Sequence, residues 1–414
     1  SAAVEGRLQA AGSRRAAGPE EADVIVVNTC TVTASADAQS RRLVRRMRRE
    51  NPDCLLIVMG CSSERDPAPL GKAATVDAIF GTGSSKQVSD FVLSRRAANV
   101  ALSEENSCAA QEFPLPAFTE RTRAFLKIQE GCDLRCSYCI IPAVRGRSRS
   151  LLPGRVEEQV RRLVELGYRE IVLTGVNTGD YGNDLDPEIS LRQLLERLVA
   201  VPGLGRLRLN SLEPATIHPD LISFLAGTDR VAPHIQIPLQ SGSDTILGAM
   251  RRPYRVGHYA RVVETLRKRI PGIALGADVI AGFPGEGDRQ FRETYDFIAA
   301  SPLNYLHVFP YSERPGTPAA ERSGKVAGPE KTHRARQLRE LGARLNLDFR
   351  RSFIGKSRSA LILNSRRKDG RWRALSDNYI AFGVPAGPAV ANRIVDARLI
   401  EATEFDTLGV LPDP

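Results

Sequence analysis

Residues 131–150 read GCDLRCSYCIIPAVRGRSRS. Three cysteines, Cys132, Cys136 and Cys139, fall there with the spacing C-x3-C-x2-C, and Tyr138 precedes the last of them. Thiolates this close on one loop each reach a different iron of a [4Fe–4S] cluster, a group held by cysteine sulfur. No fourth cysteine follows nearby, so one iron keeps the open position that a catalytic metal centre needs. A zinc knuckle and buried free thiols are the competing readings. Zinc takes four ligands in paired spacings, and no neighbouring Cys or His completes such a set.

Working outward, the loop follows a strand predicted at Phe125–Ile128, on the face where βα loops carry chemistry. Further strands are expected at Ile171–Thr174, Leu207–Leu212, Ile235–Leu239, Leu275–Ile280 and Leu306–Tyr311. Helical patterns such as Val156–Leu166, Leu191–Val199 and Gln290–Ala299 lie between them. Six β/α repeats imply a parallel sheet with helices outside, as in a partial or full barrel. A helix from Lys331 to Arg350 closes the unit.

Upstream, Val24–Val27 is a β-branched run of the buried parallel type that ends at Asn28-Thr29-Cys30. An Arg-rich helix from Ser35 to Glu50 follows. A second strand, Leu55–Val58, ends at Gly60-Cys61, and a third is expected around Val76–Phe80. Cys30 and Cys61 thus stand at the carboxyl ends of two strands, the edge where open α/β sheets bind ligands. Ala97–Pro116 has no clear period and reads as a linker.

Downstream, short strands at Ser359–Leu363, Trp372–Leu375, Tyr379–Val384, Ala389–Ile394 and Ala397–Ala402 suit a small β-barrel. Its basic turn, Arg366-Arg367-Lys368 to Arg373 with Trp372 inside it, reads equally as an RNA grip or a solvated hairpin tip. The predicted boundaries are 1–98, 99–117 for the linker, 118–352 and 353–414.

The net charge of +10, mostly from Arg, favours a nucleic-acid partner as much as a merely Arg-rich surface. No apolar run is long enough to span a bilayer, and the first residues lack the basic-then-apolar order of a secretory signal. Seven cysteines in a chain of 414 residues are too few for a disulfide framework and point to a reducing cytoplasm.

The cysteine spacing resembles the radical S-adenosylmethionine (SAM) superfamily. LTGVNTGDYG from Leu173, SLEP at Ser211–Pro214, IQIPLQSGSD from Ile235, DVIAGFPGE from Asp278 and HVFPYSERPGTPA from His307 narrow it. In this order they resemble the methylthiotransferases over nearly the whole chain. The resemblance implies an α/β protein in three parts: a Rossmann-like N-terminal domain, a radical SAM partial (β/α)6 barrel and a small C-terminal β-barrel of the TRAM type. It implies two [4Fe–4S] clusters in the intact protein, with SAM on the open iron of the one at Cys132, Cys136 and Cys139. Among SAM contacts, Tyr138 should lie beside the adenine and Gly175-Val176-Asn177 at the methionine end. Glu213 should accept from the ribose hydroxyls, and Ile280 and Gly282 should border the adenine.

The second cluster takes three cysteines from the family's N-terminal domain. Cys30 in VNTC and Cys61 in MGC match two. The third belongs to a G-C-x-x-N motif upstream of this chain's first residue. The expectation is therefore a missing N-terminus, from a fragment or a misplaced start, and an incomplete second cluster. Cys54 and Cys108 match no family ligand and read as structural.

NTCTVTASAD resembles the branch that methylthiolates C2 of N6-threonylcarbamoyladenosine at position 37 of tRNA. Alternatives are the branch acting on isopentenyladenosine, the branch acting on an aspartate of a ribosomal protein, and an RNA-binding protein whose cluster is structural. The implied partners are tRNA and an electron donor such as flavodoxin or ferredoxin; the sulfur donor stays open. GTGSSK at 81–86 lacks the Gly before Lys86 and the Ser or Thr after it that a phosphate loop needs. The five histidines form no paired zinc pattern, and His234 and His307, on strands, read as core residues.

Overall fold

The computed structural model describes residues 2–96, 122–385 and 391–411. The expected linker and Cys108 lie outside the described residues.

The N-terminal part is a three-stranded parallel sheet of β1 (Val24–Thr29), β2 (Leu55–Gly60) and β3 (Ala78–Phe80), in that order. The apolar runs have helices on both faces to bury them. Val27, Leu56 and Val58 pack on Val44 of the helix Ala34–Glu50, whose first turn is capped by Thr33 accepting from Ala36 N at 3.1 Å. Ile57 and Met59, on the opposite face, meet Val4, Val88 and Val92. The last three come from helices Ala2–Ala10 and Ser85–Arg96, which the sequence reading lacked. Each presents only a few apolar residues among polar and small ones, so its period is faint.

The central part follows the expected β/α order. Strands β4 (Arg123–Lys127), β5 (Glu170–Thr174) and β6 (Arg206–Leu209) pair in parallel, as do β7 (His234–Gln236), β8 (Ala274–Ala281) and β9 (Tyr305–Pro310). Parallel bridges at Leu207–Val231 and Ser211–Gln236 join the halves into one open arc. Strand alternation decides what faces inward. On β8, Leu275, Ala277, Val279 and Ala281 enter the core under the helices, so Gly276, Asp278 and Ile280 face the lumen. Strand β7 stops early at Gln236 because Pro238 has no N–H to continue the ladder. The helix Gly328–Arg351 covers the last strand, and Gly342 lets it come close to Leu306.

The C-terminal part is a closed five-stranded barrel, ordered β10 (Ser357–Arg366), β11 (Trp372–Ser376), β12 (Ala381–Val384), β14 (Thr407–Val410) and β13 (Ile394–Ala402). Two expectations are corrected. Ala389–Ile394 is not a strand over its described part: Ala391 and Asn392 form a turn, Asn392 with φ +59°, and β13 starts only at Ile394. Strand β14 was not foreseen, because Gly409 at its centre weakens the pattern; a Cβ there would stand 2.8 Å from the Phe382 ring.

This barrel docks under the amino-terminal rim of the central sheet. Glu170, fully buried, pairs with Arg206 and Arg208. Arg208 donates to the carbonyls of Asp377 and Ser376 at 2.9 and 3.1 Å, and Arg206 to that of Ser359 at 3.3 Å. Tyr379 stacks on His234 with ring centroids 4.0 Å apart and closes the lumen from below.

Candidate functional site

The cysteine loop stands at the opposite, carboxyl rim. Gly131 starts it at φ +73°, where a Cβ would meet Arg147 O at 1.9 Å, so only glycine lets the loop fold back. Cys132 N donates to Gly146 O and Cys139 N to Cys136 O, each at 3.1 Å. Between them Ser137 is nailed down: its N and Oγ donate to the carbonyls of Met250 and Ala249, and its own carbonyl accepts from Ala319 N at 2.8 Å. The loop is thus a fixed platform.

Arg252 organises the surroundings. It donates to Cys136 Sγ at 3.0 Å and to Tyr254 Oη at 3.2 Å, and it grips both oxygens of Glu213. Both partners of that ion pair are buried. Burial pushes the Glu213 carboxyl up, and Arg252 pulls against it. Sequence reasoning missed Arg252; Arg251-Arg252-Pro253 after the helix Asp244–Ala249 reads only as a helix stop. The expected ribose acceptor, Glu213, is the carboxylate that Arg252 holds.

The other expected contacts gather around the loop. Tyr138 and Ile280 both pack against an apolar cluster that includes Ile246 and Phe283, and Tyr138 meets Phe283 edge to face at 6.5 Å. Gly282, at φ +76°, donates its N–H to Glu286, which the buried Arg334 holds. On the other flank, buried Gln129 accepts at 2.9 Å from both Val176 N and Asn177 N, and donates to Gly131 O and Ser148 Oγ. A Cβ on Gly175 would fall 2.9 Å from that amide oxygen. Nearby, the buried Thr178 hydroxyl has no partner among the described residues.

Cys30 and Cys61 follow neighbouring strands, since Thr29 pairs with Gly60. Cys30 is exposed and Cys61 buried. Cys61 touches the central part directly. It clusters with Ile140 and Val144, and its Sγ accepts from Arg145 Nε at 3.1 Å, while Arg145 Nη1 donates to Glu130 at 3.0 Å. The helix Ile141–Arg145, begun just after Cys139, is therefore one wall shared by both cysteine sites. A second clamp holds the parts together. Arg314 Nη2 donates to Thr31 Oγ1 at 2.6 Å and to Asp37, which also accepts from Arg65 and Ser62. Burial acts to raise the Asp37 carboxyl, but these hydrogen bonds outweigh it and keep it below its ordinary value. Cys54 is apart from all of this, buried beside Val44 and Leu56.

The donor set fits an iron–sulfur cluster at Cys132, Cys136 and Cys139: three thiols on a rigid loop, with no carboxylate or imidazole among them. No three His, Cys, Asp or Glu of the described residues converge closely enough for a single ion. A cluster's ligands, each on its own iron, stand farther apart. Burial pushes the Cys139 thiol up to about 11 and raises that of Cys132, so thiolates here need the charge of a metal beside them. An apolar wall of Tyr138, Ile280 and Phe283 and the close backbone at Gly175 suit a nucleoside-bearing cofactor.

The C-terminal barrel carries a cavity of about 730 Å³ lined by Arg123, Arg367, Lys368, Arg373, Tyr379 and Phe405. Phe405 is 95% exposed and Arg366 lies 4.3 Å over the Trp372 ring. Bases stack on such rings and phosphates meet such cations. His234 is buried, as expected, but His307 is not core: its side chain is 56% exposed on the lumen face of β9. No helix among the described residues is long and apolar enough to cross a membrane.

Residues 126–298 match the family described as the Radical SAM superfamily, and residues 1–81 match the one described as Uncharacterized protein family UPF0004. The chain is 37% identical to the threonylcarbamoyladenosine tRNA methylthiotransferase MtaB of Bacillus subtilis, over 95% of this chain and 88% of that one. It is 36% identical to the tRNA-2-methylthio-N(6)-dimethylallyladenosine synthase of Mycolicibacterium vanbaalenii, over 95% and 82%. Among solved structures, the radical SAM methyltransferase TsrM from Kitasatospora setae shares the fold, with a TM-score of 0.54 at 17% identity over 72% of this chain and 65% of that one.

Proposed function

The chain belongs to the radical SAM methylthiotransferase family, and from that premise we propose that it adds a methylthio group to C2 of N6-threonylcarbamoyladenosine in tRNA. It is an enzyme with a [4Fe–4S] cluster and SAM. We assign that cluster to Cys132, Cys136 and Cys139, and place Cys30 and Cys61 on a second. When bound, the first cluster and SAM supply the 5′-deoxyadenosyl radical that takes hydrogen from C2. An electron donor of the flavodoxin or ferredoxin class and a cytoplasmic setting complete the reading.

The observation that carries it is the shared wall. Arg145 donates to Cys61 on one side, while the helix it ends begins just after Cys139 on the other. Sulfur and radical must reach the same carbon, so their holders have to be adjacent and fixed. Arg145, Glu130 and Lys127 form the ionic seam of that wall. Ser137 and Gln129 keep the loop from shifting against it.

The test is turnover of the reconstituted protein with SAM, reductant, sulfide and an anticodon stem-loop carrying threonylcarbamoyladenosine, read by nucleoside mass spectrometry. Methylthiolated product is expected from the intact protein with both clusters loaded, and absent from its Cys132→Ala and Cys61→Ala variants. Only the latter should still form 5′-deoxyadenosine. Product on an isopentenyladenosine stem-loop instead, or on a ribosomal-protein aspartate, would move the chain to the other branches.

A further inference from the structure

The lumen holds polar side chains that none of the roles above uses. At mid-height, Gln236 Nε2 donates to Asp278 Oδ1 at 2.8 Å and stands 3.2 Å from His307 Nδ1, with Asp278 Oδ1 3.3 Å from the same nitrogen. These residues come from three adjacent strands, and Asp278 and His307 are direct register partners. Above them on β8 is Ile280, which packs on the same apolar cluster as Tyr138 of the cysteine loop. Below is Tyr305, whose ring centroid lies 5.5 Å from that of His307, and then the plug made by His234 and Tyr379. The last strand is an edge, with no described strand paired to its far side. A cavity of about 600 Å³ there is lined by Tyr305, His307, Asn346, Arg350, Tyr379 and Phe405.

We propose that His307, positioned by Gln236 and Asp278, reads the N6 substituent of the target adenosine. Gln236's amide has two hydrogens; one goes to Asp278 and the other faces Nδ1. Nδ1 thus faces both the Gln236 amide and the Asp278 carboxylate; in the tautomer that accepts from the amide, and equally in the imidazolium that Asp278 would pair with, Nε2 carries a proton. A donor in that place suits a substituent with carbonyl and carboxylate oxygens. It disfavours a purely hydrocarbon substituent, which would strip its water and return no hydrogen bond. A histidine kept only for packing would not leave more than half of its side chain exposed beside two polar residues that orient it.

The inference rests on the tRNA reading above, and its test keeps the two apart. Cluster-free wild type, His307→Phe and His307→Gln are titrated with fluorescent stem-loops carrying threonylcarbamoyladenosine or isopentenyladenosine. The loaded enzymes are then compared by kcat/KM on the same pair. His307→Phe should lose about tenfold in its preference for the threonylcarbamoyl RNA, the loss expected for one hydrogen bond to a charged group. His307→Gln, which keeps a donor, should lose less. Equal losses on both RNAs, or an unchanged preference in both variants, would overturn the role of His307. An intact protein with both clusters loaded that modifies neither RNA would instead overturn the tRNA reading.

Discussion

Glu213 gives both carboxylate oxygens to the Arg252 guanidinium, and the same guanidinium donates to Cys136 Sγ at 3.0 Å. A buried carboxylate from a distant part of the chain is thereby coupled to Cys136, one of the three cysteines proposed to hold the cluster. The pair sets the position of the sulfur and fills the space between the loop and the strand ends with compensated charge.

Arg252→Ala should therefore be costly. It leaves Glu213 buried without its partner, a loss of about 3–5 kcal/mol for a broken buried pair. The expected outcome is a lower melting temperature together with poor iron retention after reconstitution. The double variant Arg252→Leu with Glu213→Leu should recover much of the stability but not SAM binding. A single variant as stable as wild type would remove Arg252 from this role.

Asp37 and Arg314 predict a different phenotype, because they join two parts and do not touch the cysteine loop. Arg314→Ala should loosen the N-terminal part from the central part without emptying the Cys132 loop. Iron at that loop and 5′-deoxyadenosine formation should persist, while methylthiolated product falls by at least about tenfold as the two sites lose their fixed spacing. Hydrogen exchange across Thr31–Asp37 should quicken. Product formation at the wild-type rate would show that the clamp is dispensable.

Much of this was legible in the sequence. The six inner strands announced themselves as β-branched or Leu-rich runs, and the cysteine loop follows the first of them at the carboxyl rim, where the sequence put it. What could not be read is what depends on side chains meeting from distant segments. Arg252, Arg314 and Arg145 each look like one more Arg in an Arg-rich chain, and only the fold shows that they are buried against Glu213, Asp37 and Cys61. His307 was misjudged for a related reason. Period-two alternation says that a residue faces the lumen or the helices, but not whether the lumen is filled at that height.

The basic face of the C-terminal barrel gives a test on RNA. Removing the whole barrel is a poor experiment, since Arg208, Arg206 and His234 would lose their partners Ser376, Ser359 and Tyr379. The exposed residues Arg366, Lys368 and Arg373 can be changed to Ala without touching that seam. The triple variant should bind tRNA more weakly at low salt. Its slope of log affinity against log salt should flatten by about two to three, roughly one for each phosphate no longer neutralised. An unchanged slope would place the RNA elsewhere on the molecule.

Glu170 gives a prediction in pH. Burial acts to raise its carboxyl, but Arg208, Arg206 and Arg123 prevail and bring it to about 2, against about 4.3 in an unfolded chain. The folded value is the lower one, so the folded state favours the carboxylate. Its contribution is complete above the unfolded value and is lost as pH falls through about 4 towards 2. The gap of about two units corresponds to roughly 3 kcal/mol. Urea unfolding of wild type and Glu170→Gln at a series of pH values isolates this one group, because every other carboxylate is common to both. The difference in unfolding free energy should be largest and flat from pH 7 to about 5. It should then shrink towards pH 2, where a protonated Glu170 resembles the amide. A difference that stays constant down to pH 2 would mean that hydrogen-bond geometry, and not the charge on Glu170, holds the C-terminal barrel against the rim.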